Sequence, residues 1–433
     1  MNVWVIDQYA DPPDGHATRC FDLSRELVNR GHRVTIFASG FNQYRLREER
    51  LHAGETWREG VYDGVKFVWL RTASYKQNNL DRIASMVGYA WRVFWFGRRL
   101  RDQPDVIIGS SPPLLAPLSA YGLARAKGCP FVFEVRDLWP QSLVELGGLS
   151  RRSPITLALR ALEKFLYQRA AKIIMLWPRA HLYTATLGIP GEKVVWIAHV
   201  VDFERFKLLK PYSGGSADNF TIMFLGRLGL SNDFEVVLQA ARMLQDAEVK
   251  GLRFVFVGGG SDTRRLVSRA QELALQNVEF RDPVPKSDIW RVTEQADAFI
   301  SCWRDLPHYL YGISLNKLCD YMVSGRPVLF GIRAGYDPVE IAKAGITVAP
   351  GNPTLLAEAI RKLLALAPSE RVQMGLNGIR YVREHHDVSV LADRLEQTLR
   401  SCVDENAPCR VPVGPQPIPG KEQCSETIQV TKR

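Results

Sequence analysis

The chain has 433 residues and a formal net charge of +10 at pH 7. At this length a single hydrophobic core is not expected, and two domains are. The hydrophobic content of 46% excludes a largely disordered chain. The positive charge is compatible with nucleotides, nucleic acid or an anionic membrane, and does not choose among them.

Strands and helices alternate through the N-terminal half. A strand at residues 3–6 is followed by a loop, a helix from about 17 to 29 and a strand at 33–37. This βαβ unit predicts a parallel sheet with helix N-termini at its carboxyl edge. Further strands are predicted at residues 65–69, 106–108, 131–135 and 173–175.

Residues 80–101 predict an amphipathic helix that is basic and rich in tryptophan. Its apolar side is expected to carry Ile83, Met86, Val87, Ala90 and Phe94. Such a helix can lie on an anionic membrane surface. The predicted contacts are Trp91, Arg92, Trp95, Arg98 and Arg99. The alternative is an ordinary domain helix with its charges in water.

The C-terminal half repeats the alternation, with strands predicted at 221–225, 253–257, 278–280, 298–301, 328–330 and 346–348. The fold class is therefore α/β, with two doubly wound, Rossmann-like domains. The stretch 193–215 is interpreted as the connection between them. The predicted units are an N-terminal domain (1–198), a linker (199–216), a C-terminal domain (217–380), a helix that packs back on the N-domain (381–402) and a disordered tail (403–433).

Two strand ends of the C-terminal half are candidates for phosphate binding. A strand runs into Gly258, Gly259 and Gly260, and such a turn before a helix offers N–H donors to an anion. Another strand leads into Gly226 and Arg227. Both signals are weak alone, because a plain turn and a surface arginine are the usual readings.

Residues 311–328 form the most informative segment. Ser314 is a good N-cap and Gly325 with Pro327 a good stop, which predicts a short helix carrying Lys317 and Asp320 one turn apart. Tyr321 and Ser324 are expected on the same solvent-facing side. Lys317 lies in the first turn, where the helix dipole disfavours a cation, and a bound anion would remove that conflict. The alternative is a solvated Lys–Asp pair.

The segment 311–328 resembles the signature of GT-B glycosyltransferases of the family-4 type, in which an E-x7-E motif runs into a Gly-x-Pro-Val strand. Asp320 takes the second acidic position, and Gly312 stands at the first. The loop is similar to that of a subgroup with Gly-Ile-Ser-Pro-Asn-Lys, with Leu315 in place of the proline. The resemblance implies two domains facing across a cleft.

The same resemblance implies roles for further residues. The family grips the donor diphosphate with an arginine, matched by Arg227, and a lysine, whose position is Asn232 here, so that Lys317 is expected to supply the second charge. Asp137 matches the family's Val-His-Asp-Leu stretch and Arg136 replaces its histidine. Arg136 either binds an anion or forms an ordering ion pair with Glu134 or Asp137.

The implied site has three parts. The catalytic candidates are Asp320, Arg136, Asp137 and His16. The phosphate-binding candidates are Arg227, Lys317, Gly15, Asn316 and Ser314. The nucleotide- or sugar-binding candidates are Gly226, Gly258, Gly259, Gly312, Ile313, Leu315 and Val284. A lone loop histidine such as His16 is more often solvated than catalytic.

The implied activity is transfer of a sugar from a nucleotide diphosphate donor, expected to be a UDP-sugar, with retention of configuration, to a lipid-linked or glycan acceptor in surface polysaccharide synthesis. No metal or other cofactor is expected, because no D-x-D or metal-ligand spacing occurs. A cytoplasmic location, peripheral on the inner membrane face, and no nucleic-acid partner are expected. The alternatives are an NAD(P)-dependent oxidoreductase, favoured by Gly258-x-Gly260 and Glu279, and an inactive scaffold of the same fold.

Overall fold

The computed structural model describes residues 1–15, 17–76, 80–216, 218–284, 288–313 and 316–404. Within these ranges the strands form two large sheets and one small hairpin. The predicted tail from residue 405 onward lies outside the described residues, as do His16, Ser314 and Leu315.

The first domain is built on an eight-stranded sheet. Its strands are β1 (Asn2–Ile6), β2 (Arg33–Ser39), β5 (Trp57–Tyr62), β6 (Val65–Leu70), β7 (Val106–Ser111), β8 (Phe131–Val135), β9 (Lys172–Met175) and β10 (Val194–Trp196). Their order is β10-β9-β8-β7-β1-β2-β6-β5, and every pair is parallel except β5 with β6. A separate hairpin joins β3 (Phe41–Asn42) and β4 (Arg47–Glu48).

Helices cover both faces of this sheet, which is the arrangement that buries a parallel sheet. They are α1 (Arg19–Asn29), α2 (Leu80–Arg99), α3 (Leu115–Lys127), α4 (Gln141–Glu145), α5 (Pro154–Arg169) and α6 (Ala180–Thr186). The core is divided into two clusters of buried residues, in which successive residues of each strand alternate.

The second domain is built on a parallel six-stranded sheet. Its strands are β11 (Phe220–Leu225), β12 (Leu252–Val257), β13 (Val278–Arg281), β14 (Ala298–Cys302), β15 (Val328–Gly331) and β16 (Gly345–Val348), in the order β13-β12-β11-β14-β15-β16. Its helices are α7 (Phe234–Asp246), α8 (Thr263–Glu272), α9 (Ile289–Thr293), α10 (Asn316–Val323), α11 (Pro338–Ala342), α12 (Pro353–Ala365) and α13 (Pro368–His385).

The last described helix, α14 (Val388–Val403), packs on the first domain. Leu391, Ala392, Leu395 and Leu399 join the buried cluster that also contains residues of β1, β2 and α1. On the rim, Nε2 of His32 lies 2.9 Å from Glu396, and Arg30 pairs with Asp393 and Glu396. The chain therefore crosses from the first domain to the second and back again.

The α/β fold class with two parallel sheets is confirmed. The connection predicted at 193–215 is wrong at its start, because Val194–Trp196 is a strand of the first sheet. Strand β5 and the β3–β4 hairpin had no expected counterpart. None of the described helices is both long and apolar enough to cross a membrane.

Candidate functional site

The carboxyl ends of β11 and β12 meet in two turns that touch through their backbones. The N–H of Gly226 donates to the Val257 carbonyl at 2.9 Å, and Leu228 N–H donates to the Gly259 carbonyl at 3.1 Å. A Cβ atom on Gly258 would lie 1.9 Å from the carbonyl oxygen of Gly226, and Gly258 has φ +144°. Only glycine fits there.

This packing explains why glycine is needed at positions 258 and 260, so that a dinucleotide-binding role is not required to account for them. A Cβ atom on Gly260 would lie 2.0 Å from the Leu228 carbonyl oxygen, so both outer glycines allow the turns to approach. Glu279, which the oxidoreductase alternative needs, pairs with Arg281 on its own strand at 2.6 Å. The structure gives the oxidoreductase reading no support.

Helix α10 is fixed to the end of β11 by Tyr321. Its hydroxyl accepts a hydrogen bond from the Leu225 N–H at 2.9 Å and donates one to the Leu225 carbonyl at 2.7 Å. The ring stacks on Phe299 at 4.3 Å between centroids. The expected solvent-facing side is therefore wrong for Tyr321 and for Ser324, which are both buried. The two bonds hold the start of the Gly226 turn against α10.

Lys317 projects from the first turn of α10 towards Gly226. A Cβ atom on Gly226 would lie 3.7 Å from the Lys317 Nζ atom. The ammonium group lies 4.5 Å from the Phe224 ring centroid and 4.9 Å from the Trp303 ring centroid. Burial lowers its pKa to about 8. No carboxylate pairs with it among the described residues, so this cation is held by aromatic faces alone.

Two arginines lie near the same strand ends. Arg227 follows Gly226 directly and is exposed. Arg304, which sequence reasoning missed, follows β14. Its backbone N–H donates to the Ser231 carbonyl at 3.2 Å. Its charge lowers the pKa of Asp262, after the larger effect of the Arg265 hydrogen bond. The missed signal was the same one used for Arg227, an arginine just after a strand.

The remaining candidates of the 311–328 segment are placed unequally. Gly312 has φ +104° and lies against the first domain, where a Cβ atom would meet Pro178 Cδ at 3.3 Å. The side chain of Ile313 is buried in the core of the second domain. Val284 packs against that core. Asn316 is exposed at the start of α10, and Asp320 is partly buried one turn later.

On the first domain, Arg136 is held by Asp7 at the end of β1. Its guanidinium donates to Asp7 Oδ1 at 2.9 Å and to the Ser111 carbonyl at 3.3 Å. The expected partners Glu134 and Asp137 are wrong as ion pairs, because Glu134 is taken by Arg19 at 3.0 Å. Burial raises the pKa of Asp7, and Arg136 acts against it. Sequence reasoning missed Asp7.

Asp137 faces the second domain. Burial raises the pKa of its carboxyl group, while the nearby Ser142 hydroxyl and the charge of His308 act in the opposite direction. Gly15 is buried in a turn, and its N–H donates to the Pro12 carbonyl at 2.9 Å. In the β3–β4 hairpin, Tyr44 is close enough to Arg136 and to Arg227 for both charges to act on its hydroxyl.

Helix α2 has two apolar faces. One is buried and carries Met86, Tyr89 and Val93, and Phe94 packs against the same core, so the expected single apolar side is wrong in placing Met86 and Phe94 with Ile83 and Val87. The other is exposed, and we call it the α2 stripe: Leu80, Ile83, Val87 and Trp91, which are 80%, 54%, 52% and 65% exposed. Trp95 is half-buried and lies beneath Arg98, whose Cζ is 5.6 Å from the ring centroid. Arg92, Arg98 and Arg99 are exposed.

The described residues contain no group of three or more His, Cys, Asp or Glu side chains that could hold a metal ion. The carboxyl edge of the second sheet carries cations together with the carboxylates of Asp233 and Asp262. Lys317, Arg227 and Arg304 lie around the Gly226 turn, opposite Arg136 of the first domain. The arrangement can hold a polyanion between the two sheets.

Two family models match the chain. Residues 14–198 match the Glycosyl transferase 4-like domain, and residues 219–366 match the Glycosyl transferases group 1. The first match runs from α1 to β10 in the first domain, and the second from β11 to α12 in the second domain. No curated protein matches the chain.

Several solved structures share the fold. Sucrose-phosphate synthase from Thermosynechococcus elongatus has a TM-score of 0.73 and 16% identity, and the match covers 92% of this chain and 98% of that one. HepE from Anabaena, in complex with UDP-glucose, has a TM-score of 0.65 and 16% identity, covering 93% and 100%. WaaG, a glycosyltransferase involved in lipopolysaccharide biosynthesis, has a TM-score of 0.64 and 16% identity, covering 92% and 99%.

Proposed function

We propose that this glycosyltransferase of the GT-B fold uses a UDP-sugar as its donor. The two matched domains and the shared architecture support the glycosyltransferase assignment. The carrying observation is Lys317, a partly buried ammonium group beside the Gly226 turn with no carboxylate paired to it among the described residues. A buried cation without a counter-ion is costly, and an anionic ligand would compensate it. HepE, of the same fold, is solved with UDP-glucose.

In this proposal the donor diphosphate lies at the Gly226 turn. Lys317 and Arg227 neutralise the charge that develops as the nucleotide leaves, without a metal ion. Preorganised charges of this kind are worth about 10²–10³ in rate each. The chain has Gly312 in place of a carboxylate, so we propose retention by a same-face route, in which the donor phosphate accepts the proton of the acceptor hydroxyl.

The acceptor is proposed to be lipid-linked or a glycan, and to be approached from the α2 stripe. Four exposed apolar side chains at helical spacing, next to Arg92, Arg98 and Arg99, match a surface that combines apolar insertion with attraction to anionic lipids. The enzyme would then act at the inner face of the plasma membrane in surface polysaccharide synthesis. WaaG supports this by analogy of fold.

The test is a panel of nucleotide sugars, hexosyl and amino-deoxy, screened by thermal stabilisation and then by transfer to lipid-linked and free glycan acceptors. Mass action predicts about 2.7 kcal/mol of stabilisation at a ligand concentration a hundredfold above Kd. Stabilisation by a UDP-sugar and release of UDP with acceptor are the expected results. UDP binding with no transfer or donor hydrolysis would favour the inactive scaffold, and no nucleotide binding would refute the proposal.

A further inference from the structure

A buried contact between the two domains joins Glu145 and His308. Glu145 ends α4, in the first domain, and His308 lies in a 3-10 turn of the second, Pro307–Tyr311. The backbone N–H of His308 donates to Glu145 Oε2 at 3.2 Å, and the His308 Nδ1 atom contacts the same oxygen. The side chain of Glu145 is 4% exposed and that of His308 is 12% exposed. One carboxylate oxygen therefore contacts both the backbone N–H and the Nδ1 atom of His308.

Each partner is connected along the chain to a different part of the proposed site. Glu145 belongs to the short helix that follows Arg136 and Asp137. The 3-10 turn is followed at once by Gly312, which lies against Pro178, and then by the segment that carries Lys317. The contact therefore links the chain segment that follows Arg136 and Asp137 to the segment that precedes Lys317.

A few neighbouring groups support the Glu145–His308 contact. Gln141 donates to the second Glu145 oxygen at 2.5 Å. Burial would raise the pKa of Glu145, but the hydrogen bonds from His308 and Gln141 outweigh it and lower that pKa. Around it, Tyr311 meets Tyr183 of the first domain at 5.3 Å between rings, and Arg179 donates to the Gly335 carbonyl at 2.8 Å.

We propose that Glu145 and His308 are positioning residues, which hold the 3-10 turn Pro307–Tyr311 and the adjoining Gly312 against the first domain when the cleft is closed, and so fix where α10 with Lys317 stands relative to Arg136. Buried polar pairs add little net stability but fix one geometry over others. A displacement of about 1 Å in a positioned substrate can lower a rate about a hundredfold. The inference rests on the proposed function, because the reaction that it positions is the sugar transfer.

The experiment compares Glu145→Ala, His308→Ala, the double variant and Glu145→Gln with wild type, using His52→Ala, an exposed histidine of the first domain, as the control. Steady-state kcat and donor KM are measured, with UDP affinity by calorimetry and UDP-induced compaction by small-angle scattering. UDP affinity separates the roles, because the second domain alone supplies Lys317 and Arg227.

The single alanine variants are expected to lower kcat 10- to 100-fold with UDP affinity within about twofold of wild type. The double variant should lose no more than either single one, since both remove the same contact. Glu145→Gln, which keeps an acceptor oxygen, should recover most of the rate. Unchanged kcat, additive losses, or a parallel fall in UDP affinity would each overturn the proposal.

Scattering distinguishes its failure from failure of the proposed function. If wild type transfers no sugar, the proposed function fails, and the positioning role is decided by compaction alone. Wild type and Glu145→Gln should then compact with UDP while Glu145→Ala does not. Equal compaction of all variants overturns the positioning role.

Discussion

Replacing Lys317 with methionine is expected to stabilise the empty protein and to remove its response to nucleotide sugar. Burial lowers the Lys317 pKa from 10.5 to about 8, which corresponds to a penalty of roughly 3 kcal/mol at most for the charged form. The two aromatic rings and the partial exposure reduce this, so a net gain of about 1–2 kcal/mol is expected for Lys317→Met. For a domain of this size that is a rise of a few degrees in Tm.

The pH dependence of this difference follows from the direction of the shift. A lysine whose folded pKa is depressed destabilises the fold fully below about pH 8, and the penalty fades as pH rises towards 10.5. The advantage of Lys317→Met should therefore shrink between pH 8 and 10. The affinity of the wild type for UDP-sugar should also weaken about tenfold one pH unit above the pKa of Lys317, because only about a tenth of the Lys317 amino groups are then protonated.

Thermal unfolding from pH 7 to 10, with and without UDP-sugar, measures both effects in one assay. The wild type should be protected by the ligand at pH 7 and less so at pH 9. Lys317→Met should start higher and be protected little at either pH. If the variant melts lower than wild type and keeps full ligand protection, Lys317 neither suffers from burial nor contacts the diphosphate.

Three further variants test other parts of the structure. Arg227→Ala should lower UDP-sugar turnover about 10²-fold without changing Tm; normal turnover would remove Arg227 from the site. Trp91→Ser should weaken sedimentation with anionic vesicles, whereas Leu376→Ser, an exposed leucine of the second domain, should not; equal binding of both variants contradicts the membrane role of the α2 stripe. Gly258→Ala should destabilise the second domain by about 3 kcal/mol or more, because its Cβ meets the neighbouring carbonyl oxygen at 1.9 Å. Gly229→Ala, where nothing lies within 4 Å, is the control, and equal melting temperatures would contradict the close packing of the turns.

Most of the architecture follows from hydrophobic pattern, because strands buried on both faces form apolar runs such as those of β8 and β11. The strands that pattern missed are peripheral. Strand β5 alternates exposed and partly buried residues, and β10 has three residues. Strand β5 lacks the continuous apolar run used for the others, whereas the apolar run of β10 was assigned to the connection between the domains.

The candidate site was less predictable, because its contacts are long-range. Asp7 and Arg136 are 129 positions apart in the chain. They follow β1 and β8, which lie on either side of β7, and that proximity appears only once the strand order is known. Helical periodicity puts Tyr321 on the same face of α10 as Lys317 and Asp320. Its side chain is nevertheless buried, because its hydroxyl is hydrogen-bonded to the backbone of β11. Spacing along one helix cannot reveal a partner on another element.

The return of α14 to the first sheet gives the molecule two crossing points, and these lie side by side. Val201 N–H donates to the His386 carbonyl at 2.7 Å, and Val388 N–H donates to the Val201 carbonyl at 3.0 Å. Because the two connections are paired at a single bridge, we expect any movement of one domain relative to the other to bend the chain at Val201 and Asp387 together. The return of α14 also means that a fragment ending near residue 198 would leave the apolar groove over α1 bare, so the first half should fold in isolation only if residues 388–403 are grafted onto it.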